Sequence, residues 1–331
     1  MFEFGEVQRS LIKRLLKTLA WEVLGLSLLV AFIVLVCTMP PLNITPNPET
    51  LTGYQVKVET AEWGNRLREY WETIRSGSLG TDRRGFPVTQ LLPVRVGNSV
   101  KLMSISLGLA LVFGTIKGIR DFHQLRRGRI GLGPVMTGIV QGLPDFWIVL
   151  LIQVLAVLLV GSIGWRPFPV GYLDEQPVRS LVYPVFCLFL VPMAYVARIT
   201  ATAMASVHDQ EYVRTARAKG LSEGAVIYRH VLRNAVVQIL DGLPNALAVM
   251  FSNLLIIESM FHYPGVTTLL KEAANPLSAA WVNPNLPPVP PDSDLLIAAG
   301  VTLGLIFTLL YFVIAVLRLF FDPRVKEREE A

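Results

Sequence analysis

Six long apolar windows leave this chain few ways to fold: Trp21–Cys37, Leu102–Ile119, Leu132–Val160, Leu181–Ala197, Val236–Met260 and Leu295–Leu317. Each is near the ~20 residues that cross a bilayer as an α-helix. Hydrocarbon offers no partner to backbone N–H and C=O groups, so each window is expected to be helical. A soluble helical core accounts for one or two such windows, not for six in succession. Only 17% of the 331 residues are charged, against about 25% in soluble domains, and the mean hydropathy is +0.50. The expected fold class is an all-α integral membrane protein with six transmembrane helices.

Arg9, Lys13, Arg14 and Lys17 precede the first window, as the basic end of a secretory signal would. The residues at its far end, "VCTMPPLN", carry no small-x-small cleavage pattern, so the window reads as a retained anchor. Most of the 30 Lys and Arg fall on the side that holds both termini. Besides the opening cluster these are Lys117, Arg120, Arg126, Arg127 and Arg129; Arg198, Arg214, Arg217, Lys219, Arg229 and Arg233; and Arg318, Arg324, Lys326 and Arg328. By the excess of basic residues in cytoplasmic segments, both termini are expected to be cytoplasmic. The net charge of +5 then reports topology, and nucleic acid need not be invoked.

The expected organisation is a cytoplasmic lead-in over 1–18, a six-helix membrane domain over 19–320 and a cytoplasmic tail over 321–331. Within the membrane domain lie an external segment at 40–98, a cytoplasmic segment at 206–235 and an external loop at 261–294. "PPLNITPNPET" reads as extended and turn-rich, and "AEWGNRLREYWETIRSGSLG" as one or two amphipathic helices. The proline cluster in "NPNLPPVPPDSD" stops any helix there. Cys37 and Cys187 share no metal-ligand spacing and read as free thiols in apolar surroundings.

The cytoplasmic segment contains "EYVRTARAKGLSEGAVIYRHVLRNA", Glu211–Ala235. Asp209 is placed to cap a helix starting near Gln210, with Glu211 in its first turn facing the positive end of the dipole. Tyr212, Ala216 and Lys219 follow at helical spacing, and Gly220 is suited to a positive-φ stop. Ser222 then caps a second helix with Ile227, Val231 and Ala235 on one stripe, and Arg229 and Arg233 on another. This predicts two short helices joined by a glycine turn. The small residues Ala216, Ala218 and Gly220 would admit a close surface, and Tyr212 and the arginines supply anchors typical of protein interfaces. A solvated basic loop would explain the arginines but not the turn and caps. A helix-turn-helix reader of DNA would need a duplex at the bilayer, between two membrane tethers.

The same stretch resembles the EAA signature of permease subunits in binding-protein-dependent ABC importers, and its "ARAKGLS…RHVLRNA" form resembles the peptide/nickel branch. "SGSLGTDRRGFPVTQLLPVRVGNSV", "GLPDFW", "ESMFHYPGVTTLL" and "DSDLL…FDPRVKER" resemble that branch in the same order, nearly end to end. The resemblance implies a bacterial or archaeal plasma-membrane subunit that pairs with a second permease. Two cytoplasmic ABC ATPase subunits and an external solute-binding protein would complete the importer. It also implies that Glu211, Tyr212, Arg214, Ala216, Lys219, Gly220, Ser222, His230 and Asn234 couple the chain to its ATPase. The expected solutes are di- or oligopeptides, with nickel or a metal chelate as the alternative. The chain has no phosphate-binding loop, so ATP and Mg are expected on partner subunits, with no cofactor on this chain.

The sequence departs from the branch in three places. "TMPPLNITPNP" stands where a Pro-Gly-Asp-Pro-like turn is usual, "DGLPNALAVMFSNLL" is not glycine-rich, and Asp145 replaces a small polar residue.

Asp145 and Asp241 lie inside apolar windows near Pro144 and Pro244, where an acid suggests a water-lined pathway; the alternatives are a shallower position in the membrane or a structural hydrogen bond to a neighbouring helix. Asp145 would attract the amino group of a peptide or another cationic solute. Glu258 and His262 read as an interfacial cap and a solvated imidazole, because two groups do not make a metal site. His123, His208 and His230 show no ligand spacing. No catalytic motif appears, which disfavours an intramembrane enzyme; a scaffold or sensor that keeps the fold without transporting is the remaining class.

Overall fold

A computed structural model describes residues 3–39, 43–46, 54–57, 60–128, 131–164, 168–274 and 291–321. It is almost wholly helical, in the order α1 (Glu3–Cys37), α2 (Thr60–Arg75), α3 (Val88–Arg126), α4 (Leu132–Gly142), α5 (Asp145–Ile163), α6 (Val182–His208), α7 (Glu211–Ala218), α8 (Glu223–Ala225), α9 (Arg233–Met260), α10 (Val266–Ala274) and α11 (Ser293–Phe321). Among the described residues, six helices are long and apolar enough to cross a membrane. The extended reading of "PPLNITPNPET" holds for one short strand, β1 (Asn43–Pro46), the rest of that stretch lying outside the described residues; β1 pairs antiparallel with β2 (Tyr54–Lys57), Ile44 opposite Val56. The amphipathic stretch after them is one helix, α2.

The basic lead-in and the first span share one helix, α1, continuous from Glu3. Two expectations are corrected. The third window, Leu132–Val160, is two helices. Pro144 disfavours helical geometry in the residue before it, and Leu143 accordingly sits at ψ 134, ending α4 before Asp145 starts α5. The loop at 261–294 contains a helix, α10; its proline cluster before Pro291 lies outside the described residues, as does most of the tail. Glu258 is no interfacial cap, since it is 0% exposed within α9.

The chain divides into two compact units. The first holds residues up to Glu22, Val100–Tyr263 and residues from Phe307; the second holds Val23–Ser99 and Pro264–Ile306. In the first unit α6 and α9 form the most extensive helix pair. α3 reaches α6 through Gly114 and Gly118: a Cβ at Gly114 would lie 2.8 Å from Met193 O, and one at Gly118 2.6 Å from Ala197 O. Small residues four apart let backbones approach closely where lipid supplies no hydrophobic drive to association. Pro192 and Pro244 lie inside α6 and α9, which neighbouring helices make tolerable in a membrane bundle. In the second unit, Val88, Val266, Leu269, Ala273 and Leu295 form a core joining α3, α10 and α11. Ser99 Oγ accepts a 2.8 Å bond from Val266 N within it.

Candidate functional site

α6 ends at His208, and Asp209 is its C-terminal cap at φ −91, ψ 4. An N-cap needs extended backbone, so that position falls to Gln210 at φ −71, ψ 148, which makes no side-chain cap bond. The expectation that Asp209 caps α7 is therefore corrected. Its Oδ1 lies 2.9 Å from His208 Nδ1 instead. That bond, helped by the charges of His208, Arg214 and Arg217, holds the Asp209 carboxyl below its usual range.

α7 turns at Gly220, whose φ is +78 and whose N–H donates to Arg217 O at 2.9 Å. Nothing lies within 4 Å of a Cβ built there, so the demand for glycine comes from the dihedral and not from crowding. Ser222 caps the next helix as expected, accepting from Ala225 N at 3.4 Å. That helix is not a separate short rod. α8 continues through a π-helical stretch, Val226–Leu232, directly into α9. No Pro or Gly marks the widened turns, so helical spacing rules could not anticipate them. Such stretches recur at functional positions.

The hairpin has two faces. Val213, Ala216, Val226, Ile227, Val231 and Ala235 point inward and pack with Phe122 of α3 and Met204 and Val207 of α6. Glu211, Tyr212, Arg214, Lys219, Gly220 and Ser222 are exposed. Glu211 accepts from Arg214 Nη1 at 3.0 Å. Ala216 belongs to the inward set at 5% exposure, so it cannot meet an approaching surface and contributes by seating α7. His230 and Asn234 are half-buried. Asn234 Nδ2 donates to His230 O at 2.8 Å, and the Asn234 side chain hydrogen-bonds to Tyr212. Partial burial raises the Tyr212 phenol and that bond offsets the rise in part.

Residues outside the coupling set expected from the sequence hold this arrangement in place. Glu223 takes ion pairs from Arg126, at the end of α3, and from Arg217 of α7. Arg217 also meets His208 Nε2, and the His208 ring lies tilted against Phe122 with centroids 5.5 Å apart. The pairing of positions 126 and 223 leaves no trace in local spacing; only the opposite charges were visible.

The two acids proposed for the pathway have different partners. Asp145 stands in the first turn of α5, where the helix dipole favours a carboxylate. It is half-buried and hydrogen-bonded to the side chain of Asn253 on α9. Asn253 is 1% exposed, and among the described residues its Oδ1 has no hydrogen-bond partner. Asp241 is ion-paired with Arg318 near the end of α11, which is the structural alternative raised for it. Among the described residues no three His, Cys, Asp or Glu side chains gather as metal ligands, and both cysteines are free.

This geometry can be set beside known proteins. The family described as "Binding-protein-dependent transport system inner membrane component" matches residues 110–327, a span that includes α4 to α9. The chain belongs to that family. It is a multi-pass component of a transport system's inner membrane. It is 31% identical over 214 residues to the oligopeptide transport system permease protein AppB of Bacillus subtilis, covering 60% of this chain and 64% of that one. To the di/tripeptide transport system permease protein DppB of Pseudomonas aeruginosa it is 30% identical, over 62% of this chain and 68% of that protein. To the dipeptide transport system permease protein DppB of Alkalihalophilus pseudofirmus it is 24% identical, over 78% and 80%. The alignment with the first of these thus spans less than two thirds of that relative's length.

Proposed function

We propose that this transport component is the permease subunit of an ATP-driven importer and forms half of a translocation pathway for di- or oligopeptides. Its partners in this reading are a second, similar permease, two cytoplasmic ATPase subunits and an external solute-binding protein. Both termini and the α7–α8 hairpin lie in the cytoplasm, and ATP and Mg are bound by the ATPases. The named relatives carry peptide-transport names, which favours peptides over the nickel or metal-chelate alternative.

One observation carries the coupling role. The hairpin is seated on an apolar core along one face and presents Glu211, Tyr212, Arg214 and Lys219 along the other. A load applied to that face reaches the membrane through a helix unbroken from Glu223 to Met260. A floppy loop would absorb such a load; a continuous helix transmits it. Asp145, with the buried acceptor of Asn253 beside it, is suited to an ammonium group moving along the pathway.

The test is reconstitution in lipid with the co-purified permease and ATPases, then ATP turnover with and without peptide-loaded binding protein. Peptide-dependent turnover together with peptide accumulation supports the reading. An isolated chain with no ATPase partner, or turnover that responds only to a metal chelate, overturns it.

A further inference from the structure

The second unit contains a cavity of about 910 Å³ lined by α1, α2 and α11. α1 and α11 approach along it: a Cβ at Gly300 would lie 3.4 Å from Ile33 Cδ1, and one at Gly304 would lie 2.7 Å from Leu29 Cδ2. α2 lies across the ends of these two helices. Trp63 Nε1 donates to Thr38 Oγ1 at 3.2 Å, just past the end of α1. Tyr70 sits beside both Cys37 and Asp294, and the chain after α2 brings Gly80 against Asp294 at the start of α11. Leu67, Tyr70, Trp71 and Ile74 of α2 face the cavity. An amphipathic helix with Trp and Tyr at the level where spans leave the bilayer is an interfacial helix.

The lining has little use for a polar ligand. Leu26, Val30 and Val34 of α1 and Val301 and Leu305 of α11 are hydrocarbon. Of the three hydroxyls, Ser27 Oγ donates to Val23 O at 2.7 Å and Thr302 Oγ1 to Ala298 O at 2.7 Å. A peptide or sugar here would bury polar groups of its own without partners; an alkyl chain would not. The α1 wall runs from Leu26 to Leu35, roughly 13 Å at ~1.5 Å per residue. One leaflet of a ~30 Å hydrocarbon core is about 15 Å deep. At the rim, the Arg75 guanidinium lies 5.7 Å from the Trp71 ring centre, a positive group at headgroup height.

We propose that this groove is a binding site for one phospholipid, its acyl chains beneath α2 against α1 and α11 and its phosphate at Arg75. Depth, dryness and charge at the rim together match a lipid of one leaflet.

The test uses the assembled complex in liposomes doped with a phospholipid carrying a photoactivatable group in its acyl chain, with adducts mapped by mass spectrometry. Adducts should concentrate on 26–35 and 298–305 at groove-lining positions. Ala31→Trp or Leu305→Trp, both at exposed positions, should lower groove adducts about tenfold and leave those at Leu28 and Phe32, outside the groove, unchanged. Arg75→Gln should reduce capture of the phospholipid but not of a diacylglycerol probe. Gel filtration identical to the parent excludes misfolding as the cause. Adducts spread evenly around α1, or insensitive to both tryptophans, would show an unspecific lipid annulus. Cross-links from the groove to another polypeptide would show a protein occupant. Either result overturns the proposal.

Discussion

Arg126, the last residue of α3, is ion-paired with Glu223, the first residue of α8, so the hairpin is fastened at its turn to a helix 97 residues earlier in the chain. Arg217 reaches the same carboxylate from α7. The hairpin is thus held by charge at its tip and by apolar packing along its length.

The first prediction tests that fastening. Both side chains of the Arg126–Glu223 pair are over 40% exposed, so the pair contributes at most about 1 kcal/mol to stability. Arg126→Glu should leave expression and thermal stability nearly unchanged while lowering peptide-stimulated ATP turnover. The swap Arg126→Glu with Glu223→Arg should recover part of the turnover. Equal loss in the single and double variants would deny the pair a role.

Gly220→Val puts a β-branched residue at φ +78, at a cost of about 1–2 kcal/mol for left-handed backbone. The protein should still insert, because the turn lies outside the spans. Transport coupled to ATP turnover should fall severalfold, as measured in proteoliposomes, and Gly220→Asn should do less harm.

Glu211 is exposed in the first turn of α7. Glu211→Lys replaces a favourable charge at the helix start with an unfavourable one, worth about 0.3–1 kcal/mol. Association with the ATPase subunits should weaken roughly two- to fivefold, read by titration of the purified subunits. Ala216→Ser, on the inward face of α7, should lower thermal stability before it affects association.

Asp145→Asn removes the charge hydrogen-bonded to Asn253. A charged hydrogen bond is worth about 1.5–3 kcal/mol, so uptake of peptides with a free amino terminus should fall tenfold or more. N-acetylated peptides should be affected less. Unchanged rate and preference for both would remove Asp145 from the pathway.

Burial, with Asp294 and Cys37 close by, pushes the Tyr70 phenol up to about 12, against about 10 in an unfolded chain. Because the folded form holds its proton more tightly, this stabilising contribution is complete below pH 10 and is lost as pH rises towards 12. The phenolate absorbance at 295 nm that disappears in Tyr70→Phe should have its midpoint near 12 in the folded protein and near 10 after denaturation.

Local rules were enough for much of this molecule. Apolar windows of bilayer length predicted the spans because backbone groups in hydrocarbon have no partner outside a helix. The turn at Gly220 and the cap at Ser222 were legible because each depends on one residue's own dihedral or side chain. The amphipathic pattern of α2 was legible because helical spacing along one continuous stretch puts its apolar residues on one face.

Three dimensions were needed for whatever depends on residues far apart. Leu143 and Pro144 adjoin in sequence, yet a window average hid the break between α4 and α5 that places Asp145 at a helix start. Asp209 looked like a cap until the backbone assigned that geometry to Gln210. Ala216 looked available until Phe122 and Met204 covered it. The pairings Arg126–Glu223, Asp145–Asn253 and Asp241–Arg318, and the groove under α2, arise only when helices meet. Periodicity reports which face of a helix is apolar, but only packing decides which neighbour it meets.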